Sequence, residues 1–216
     1  MVNLIEELVL LTIDDDGSVA FTAGGSGFRM SAIGACLVEL NNAGRIDADL
    51  EAVHVLSQEP VGHPAVDRVL ALVAAGPEKP VSQWVRQLAP MSGEIVRLAL
   101  GSLAQRGILS QQESRFLWVL KSRRYPLIDG AEQKEAKLRI LSTLLGDDLP
   151  TPHDTVLLGL ARVGGVLEGF LSSAEIARLD DRIEKIGGID LIAKGVEIAL
   201  RDEQEQIARS FLAPIC

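Results

Sequence analysis

The feature that most constrains the fold is a helical run that ends at a glycine and continues in branched aliphatic residues. It occurs three times, as CLVELNNAGRI (36–46), ALGSLAQRGIL (99–109) and LLGLARVGGVLEGFLS (157–172). A glycine just past a helix adopts a left-handed conformation at little cost, and the aliphatic residues beyond it pack back on the helix. The copies are irregularly spaced, which argues against a solenoid of equal repeats. The pattern favours the corners of a helical bundle.

Composition supports the same architecture. Hydrophobic residues make up 47% of the 216 residues and aromatic residues 4%, so Leu, Val, Ile and Ala must build the core. No long linker and no low-complexity segment divides the chain. We predict a single, mainly α domain over residues 1–216. It should be a helical bundle with outer amphipathic helices and one or two short β-hairpins.

Apolar periodicity and stop signals locate the elements. They predict helices over 3–13, about 14 residues ending at Asn42, a helix from Pro64, one over 81–89, and helices over 91–106, 131–145, 155–163, 173–186 and 191–211. A capping-box pattern is expected in LSSAE (171–175). RIDADLEAVHVLS (45–57) predicts a short β-ribbon. ILSQQESRFLWVL (108–120) predicts two β-prone runs around a polar turn, a hairpin that KSRRYPL (121–127) closes.

The charge is unevenly distributed along the chain. The net charge is −9, yet residues 79–139 hold 11 Lys or Arg against 5 Asp or Glu, which leaves 10 against 25 elsewhere. An anion should therefore bind in the middle of the chain. Cys36 and Cys216 are too few for a disulfide scaffold. The N-terminus lacks the basic start of a signal peptide, and no apolar run reaches the roughly 18 residues of a membrane span. We expect a cytoplasmic protein, peripheral on the cytoplasmic face of a membrane.

A search for catalytic and metal-binding patterns is negative. His54, His63 and His153 are isolated from one another and from cysteines, so a zinc site has no support. GGSG (24–27) precedes a helix but lacks the Lys-Ser/Thr of a phosphate loop, and DDD (14–16) lacks the spacing of a calcium loop. No set of nucleophile, base and orienting residue stands out. We predict no catalytic residue, no metal and no cofactor, and hence no enzyme.

The second predicted hairpin combines apolar and basic residues. Its apolar part is Phe116, Leu117 and Trp118, and its basic part is Arg115, Lys121, Arg123 and Arg124. At a membrane surface an aromatic ring inserts at the depth of the headgroups, while arginines bind phosphates in bidentate fashion. The alternative, equally open from these residues, is that Trp118 packs in the core and the arginines solvate an edge strand.

The same segment also fits a second class of protein. Residues 103–124 follow the order of a winged helix, with a recognition helix, a wing strand, a turn, a second wing strand and a basic end. Arg97 and Arg106 are the only arginines on the predicted recognition helix, and the net acidity opposes binding to nucleic acid. A scaffold that acts through a protein partner or as a homo-oligomer is the remaining alternative.

Four phrases in register make the chain resemble the Golgi phosphoprotein 3 family, and its bacterial-type members in particular. They are ELNNAGRI (39–46), EPVGHPAVDRVL (59–70), LAQRGILSQQESRFLWV (103–119) and RRYPLID (123–129). The N-terminal phrase LIEELVLLTIDDDGSVAF (4–21) extends the match over nearly the whole chain. The resemblance implies a helical bundle with a hydrophobic β-hairpin. It also implies a peripheral membrane adaptor that recognises phosphatidylinositol 4-phosphate.

The resemblance also assigns site residues. The family's headgroup pocket uses a tryptophan before the first long helix, an arginine on that helix, and two basic residues on the helix before its Gly-Val-Leu phrase. The matching positions here are Gly24, Ile33, Gly93 and Val96. Arg29 lies about one turn before Ile33, and Arg97 follows Val96, so both are pocket candidates. Phe116, Leu117 and Trp118 match the membrane-inserting ribbon. The expected partner is an anionic phospholipid surface, bound by Arg29, Arg97, Arg115, Lys121, Arg123 and Arg124.

Overall fold

Helices form most of the molecule. The computed structural model describes residues 2–14, 17–19, 25–110, 112–116, 120–128, 130–146 and 148–212. Over these residues the α-helices are α1 Leu4–Leu10, α2 Ser26–Asn42, α3 Pro64–Ala74, α4 Val81–Leu88, α5 Ser92–Gln105, α6 Ala131–Leu145, α7 Pro152–Val163, α8 Ser173–Gly187 and α9 Leu191–Leu212. Two antiparallel ribbons join β1 Ile46–Ala48 to β2 Val53–Val55, and β3 Gln112–Phe116 to β4 Leu120–Arg124. The predicted mainly α fold with short hairpins is confirmed.

Helix α2 is the centre of the bundle and packs against α1, α3, α4, α5, α7 and α9. Its sequence carries apolar or small residues on nearly every side, which is typical of a buried helix. Two glycines bring its neighbours close, because a Cβ at Gly27 would collide with the Val163 carbonyl oxygen and one at Gly34 with the Val196 side chain. Gly27, part of the glycine-rich GGSG phrase, thus lies inside α2 and serves helix packing.

The three glycine phrases form the predicted helix corners. Gly44, Gly107 and Gly165 adopt φ values of +63°, +72° and +66°. The N–H of the next residue in each case donates to a carbonyl five residues earlier, in the bonds Arg45 to Leu40, Ile108 to Leu103 and Val166 to Ala161. This is the closing bond of a Schellman motif, which satisfies a carbonyl that the helix end leaves free.

The later helices begin at caps that the sequence encodes. Ser172 and Glu175 form the predicted capping box of α8, with each side chain bonded to the other's backbone N–H. Helix α7 starts at Pro152, three residues before the predicted start, because Thr151 caps it by accepting from the Asp154 N–H. Helix α8 packs on α7 where Gly159 and Gly187 approach each other.

Every described α-helix contributes residues to one hydrophobic core. Helix α9 contributes from its N-terminal half. Its largest fully buried side chain is Trp84 on α4. Cys36 lies free in this core, and burial, together with the charge of Glu39, raises the pKa of its thiol. Among the described helices none is long and apolar enough to cross a bilayer.

Candidate functional site

The β3–β4 ribbon leaves the helical body between α5 and α6. Its base is held by an antiparallel bridge between Leu109 and Leu127. Tyr125 is buried at this base, and its N–H donates to the Gly17 carbonyl at 2.8 Å. The ribbon is therefore fixed to the body at its root, and its strand register decides which residues share a face.

One face of the ribbon concentrates positive charge. Arg115 lies directly opposite Lys121, and Glu113 lies opposite Arg123. Opposed residues and alternate residues along a strand share a face, so these four positions form one basic face, which we call the basic ribbon face. The Glu113–Arg123 pair is of opposite charge. Like charges placed directly opposite each other, as at Arg115 and Lys121, destabilise a ribbon unless an anion neutralises them.

The other face of the ribbon holds only some of the apolar residues that were predicted to insert into a membrane. Phe116 and Leu120 are the last paired residues and share this face with Arg124, Ser114 and Ser122. Of the predicted membrane-inserting residues, Phe116 thus ends β3. Leu117 and Trp118 lie between the strands in the sequence and outside the described residues.

The predicted position of the hairpin turn is wrong. The sequence predicted a polar turn within residues 108–120, whereas the polar residues 112–114 belong to strand β3, which pairs with β4. Polar residues are acceptable in a two-stranded ribbon because neither face has to be buried.

Arg29 and Arg97 lie on the helical body and not on the ribbon. Arg29, in the first turns of α2, is half-buried and donates through a guanidinium nitrogen to Ser26 Oγ at 3.0 Å. Its Nε is buried without a hydrogen-bond partner in the described part of the chain. Arg97 is exposed on α5. The structure therefore brings the ribbon cations together on adjacent strands and leaves these two predicted residues on α2 and α5.

A buried carboxylate at the start of α1 was missed by the sequence predictions. Glu6 is fully buried, and its oxygens accept from Arg106 at 2.6 Å and Ser102 Oγ at 2.7 Å and contact His63 Nε2 at 3.3 Å. Burial alone would raise its pKa. The hydrogen bonds from His63, Ser102, the Asn3 N–H and Arg106 outweigh burial and lower the pKa of Glu6 to about 2. The group is an ionised anchor that joins α1 to α3 and α5.

Glu7 makes the corresponding contacts on the other side of α1. Its oxygens lie 2.6 Å from an Arg139 guanidinium nitrogen and 2.6 Å from His153 Nε2. Arg139 also reaches Asp154 at 3.0 Å. The hydrogen bond with Glu7 raises the pKa of His153, although burial opposes that shift. This second set joins α1 to α6 and α7.

The Glu6 cluster contains the residue types of a hydrolytic triad, but not its geometry. Ser102 Oγ and His63 Nε2 both contact Oε1 of Glu6. In a triad the imidazole stands between the hydroxyl and the carboxylate and takes the hydroxyl proton. Here the serine donates directly to the carboxylate, so the imidazole is not placed to activate it.

A scan against family models decides the relationship. The model described as Golgi phosphoprotein 3 (GPP34) matches residues 4–203. The chain belongs to the Golgi phosphoprotein 3 family. The match covers α1 to the middle of α9 and therefore the ribbon, both glutamate clusters and nearly all of the core. A comparison with curated proteins finds no match.

Two of the four positions that align with the family's headgroup pocket belong to the core of this GPP34 chain. Ile33 and Val96 are completely buried in the core. Gly93 is exposed with open space beside it, and Gly24 lies outside the described residues. Two of the four aligned positions thus hold core aliphatic residues that have no access to a headgroup.

The histidines of this GPP34 chain contact carboxylates. His54 on β2 lies 3.2 Å from Asp49 and 3.0 Å from Glu78, and these contacts raise its pKa despite some desolvation. His63 and His153 contact Glu6 and Glu7. Within the described ranges no three His, Cys, Asp or Glu side chains are arranged to hold a metal ion.

Proposed function

We propose that this protein is a peripheral membrane protein whose basic ribbon face binds anionic phospholipid headgroups. The observation that carries the proposal is the register of β3 and β4, which sets Arg115 directly opposite Lys121 beside Arg123. A phosphate relieves the repulsion of two opposed cations and accepts hydrogen bonds from both. Binding, and not catalysis, is the proposed activity, acting on the cytoplasmic face of a membrane.

The apolar end of the ribbon supports the same orientation. Phe116 and Leu120 close the paired part of the ribbon, and Leu117 and Trp118 lie between them in the sequence. Aromatic and aliphatic residues next to cations suit the boundary between headgroups and acyl chains. The predominantly acidic remainder of the chain favours an approach with the ribbon toward an anionic surface.

Family membership makes phosphatidylinositol 4-phosphate the first headgroup to test. The buried Ile33 and Val96 leave the helical pocket positions without a cation, so we assign the main phosphate contacts to the ribbon. Arg29 and Arg97 are candidates for further contacts from α2 and α5. Each cation near an anionic surface contributes about 1 kcal/mol, so binding through one ribbon should be weak and sensitive to salt.

The test is vesicle flotation with the full chain. Vesicles of phosphatidylcholine alone are compared with vesicles that also contain phosphatidylglycerol or phosphatidylinositol 4-phosphate at matched surface charge. We expect binding to both anionic preparations, loss of binding at high salt, and loss in R115E/K121E. W118A should weaken binding to the anionic vesicles without changing its dependence on salt.

The matched control is K194E/R201E, which reverses two exposed cations on α9. This variant carries the same change of net charge as R115E/K121E and should still bind. Equal binding of the natural chain to neutral and anionic vesicles, or equal loss in the control, would refute the proposal. A shift of duplex DNA at low salt that R115E/K121E abolishes, without vesicle binding, would support the winged-helix alternative instead.

A further inference from the structure

Helix α1 is held at its C-terminal end by a side chain that follows the ribbon in the sequence. Gln133, in the first turn of α6, is only 8% exposed. Its Nε2 donates to the carbonyl oxygens of Leu10 and Ile13, in both cases at 2.7 Å. A helix leaves its last carbonyls without intrahelical donors, so Gln133 caps α1 from a position 120 residues after Ile13.

The chain just beyond α1 contacts the ribbon root, which we define as residues 108–110 and 125–128. Gly17 adopts a φ of +77°, and its carbonyl oxygen accepts from the Tyr125 N–H at 2.8 Å. A Cβ at Gly17 would lie 2.6 Å from the Pro126 nitrogen, so glycine is needed for this close approach. The part of the chain that Gln133 ties to α6 therefore also supports the ribbon root.

The glutamates of α1 bind the two helices between which the ribbon leaves the body. Glu6 binds Arg106, the C-cap residue of α5, at 2.6 Å, and Glu7 binds Arg139 of α6 at 2.6 Å. Helix α1 is therefore joined to the segment before the ribbon, to the ribbon root and to the segment after it. The contact made by Gln133 differs from the two ion pairs because it carries no charge that salt could screen.

We propose that α1, together with Gly17, is a clamp that fixes the angle of the ribbon to the body, and that Gln133 is the positioning residue of this clamp. A two-stranded ribbon is marginally stable on its own, so its direction depends on the contacts at its root. The inference rests on the proposed function, because a ribbon held at one angle presents the basic ribbon face to headgroups without first being ordered. Ordering a loose segment on binding costs affinity.

Two substitutions at Gln133 change the hydrogen bonds with little change of shape. Q133M keeps an unbranched side chain of similar length but has no N–H donor. Q133E has only acceptors when ionised, and it turns them toward two carbonyl oxygens. Once protonated, its O–H restores one of the two donors, and burial favours that protonated form. The Q133E defect should therefore recede as the pH is lowered to about 5, whereas the Q133M defect should not.

Double electron–electron resonance between spin labels on the ribbon and on the body measures the angle of the ribbon. Labels at S122C on β4 and at A71C, an exposed position on α3, are placed in a C216S background, in which Cys36 stays buried and unlabelled. The chain with Gln133 should give one narrow distance distribution at both pH values. Q133M should give a broad or displaced distribution at both, and Q133E only at neutral pH.

The matched control is G187A, which forces a Cβ within 2.8 Å of the Gly159 Cα between α7 and α8. It disturbs the packing of the body, leaves the contacts of Gln133 in place and should keep the narrow distribution. Vesicle flotation of the unlabelled chains then measures the consequence for binding. Q133M should raise the dissociation constant for anionic vesicles about threefold to tenfold, and G187A should leave it unchanged. Thermal unfolding verifies that each variant is folded.

The outcomes separate this inference from the proposed function. A narrow distribution in Q133M, equal broadening in G187A, or a Q133E distribution that does not respond to pH would overturn the clamp. A broad distribution in Q133M with unchanged vesicle binding would overturn its role in positioning the ribbon for headgroups. Failure of the natural chain to bind anionic vesicles would refute the proposed function, and the distance measurements would still decide whether Gln133 fixes the ribbon.

Discussion

Replacing Glu6 with glutamine is expected to remove about 3 kcal/mol of folding stability at neutral pH. Although burial alone would raise its pKa, the contacts with His63, Ser102 and Arg106, with one backbone N–H, hold the pKa of this carboxyl at about 2. The side chain is 1% exposed, so solvent screens little of this interaction. The ordinary pKa of 4.5 applies in the unfolded chain.

The magnitude follows from the two pKa values. Each pKa unit is worth about 1.4 kcal/mol, and a shift from 4.5 to about 2 gives about 3 kcal/mol. Because the folded pKa is the lower one, this contribution is fully present above pH 4.5 and is lost as the pH falls toward 2. At about pH 3 roughly 2 kcal/mol of it is gone. Glutamine does not titrate, so the penalty of E6Q should shrink over the same interval.

Urea unfolding followed by far-ultraviolet circular dichroism measures both quantities. The natural chain and E6Q are compared at neutral pH and near pH 3, where the difference in unfolding free energy should fall from about 3 to about 1 kcal/mol. E184Q, which removes an exposed carboxylate on α8, is the control and should stay within about 0.5 kcal/mol at both pH values. An E6Q penalty that is the same at both pH values would refute an ionised, hydrogen-bonded Glu6.

Three further changes test the packing and the second glutamate cluster. The hydrogen bond to Glu7 raises the pKa of His153, so its stabilisation is full at acidic pH and is lost as the pH rises through the raised value. The thermal midpoint should therefore decline as the pH rises above the ordinary histidine pKa of 6.5 in the natural chain, and decline less in H153Q. G187A places a Cβ 2.8 Å from the Gly159 Cα and should cost about 1–3 kcal/mol of unfolding free energy, measured in urea. G93A meets open space and should leave stability unchanged or slightly higher; a cost equal to that of G187A would contradict the close-packing explanation.

The sequence predicts the helices well because the local signals are strong and agree with the packing. Helix α6 has its predicted bounds, α5 is one residue shorter than predicted at each end, and α8 is one residue longer at its C-terminal end. The helix ends at Gly44 and Gly107 are predictable because they depend only on neighbouring residues. Each needs a residue that can adopt a left-handed conformation, followed closely by a buried aliphatic residue. The first residue of a helix is harder to predict from sequence. Helix α7 is an example, because its threonine cap lies upstream of the apolar run.

The glutamate clusters could not be derived in the same way. Two adjacent acids in an apolar helix are a signal of paired burial, yet their partners come from distant parts of the chain. His63 lies 57 residues from Glu6, and His153 lies 146 residues from Glu7. No local pattern indicates which cations a tertiary fold will bring to a carboxylate. The register of β3 and β4 could not be predicted for a similar reason. It depends on which residues of the two strands pair, and no alternation of apolar residues indicates that pairing.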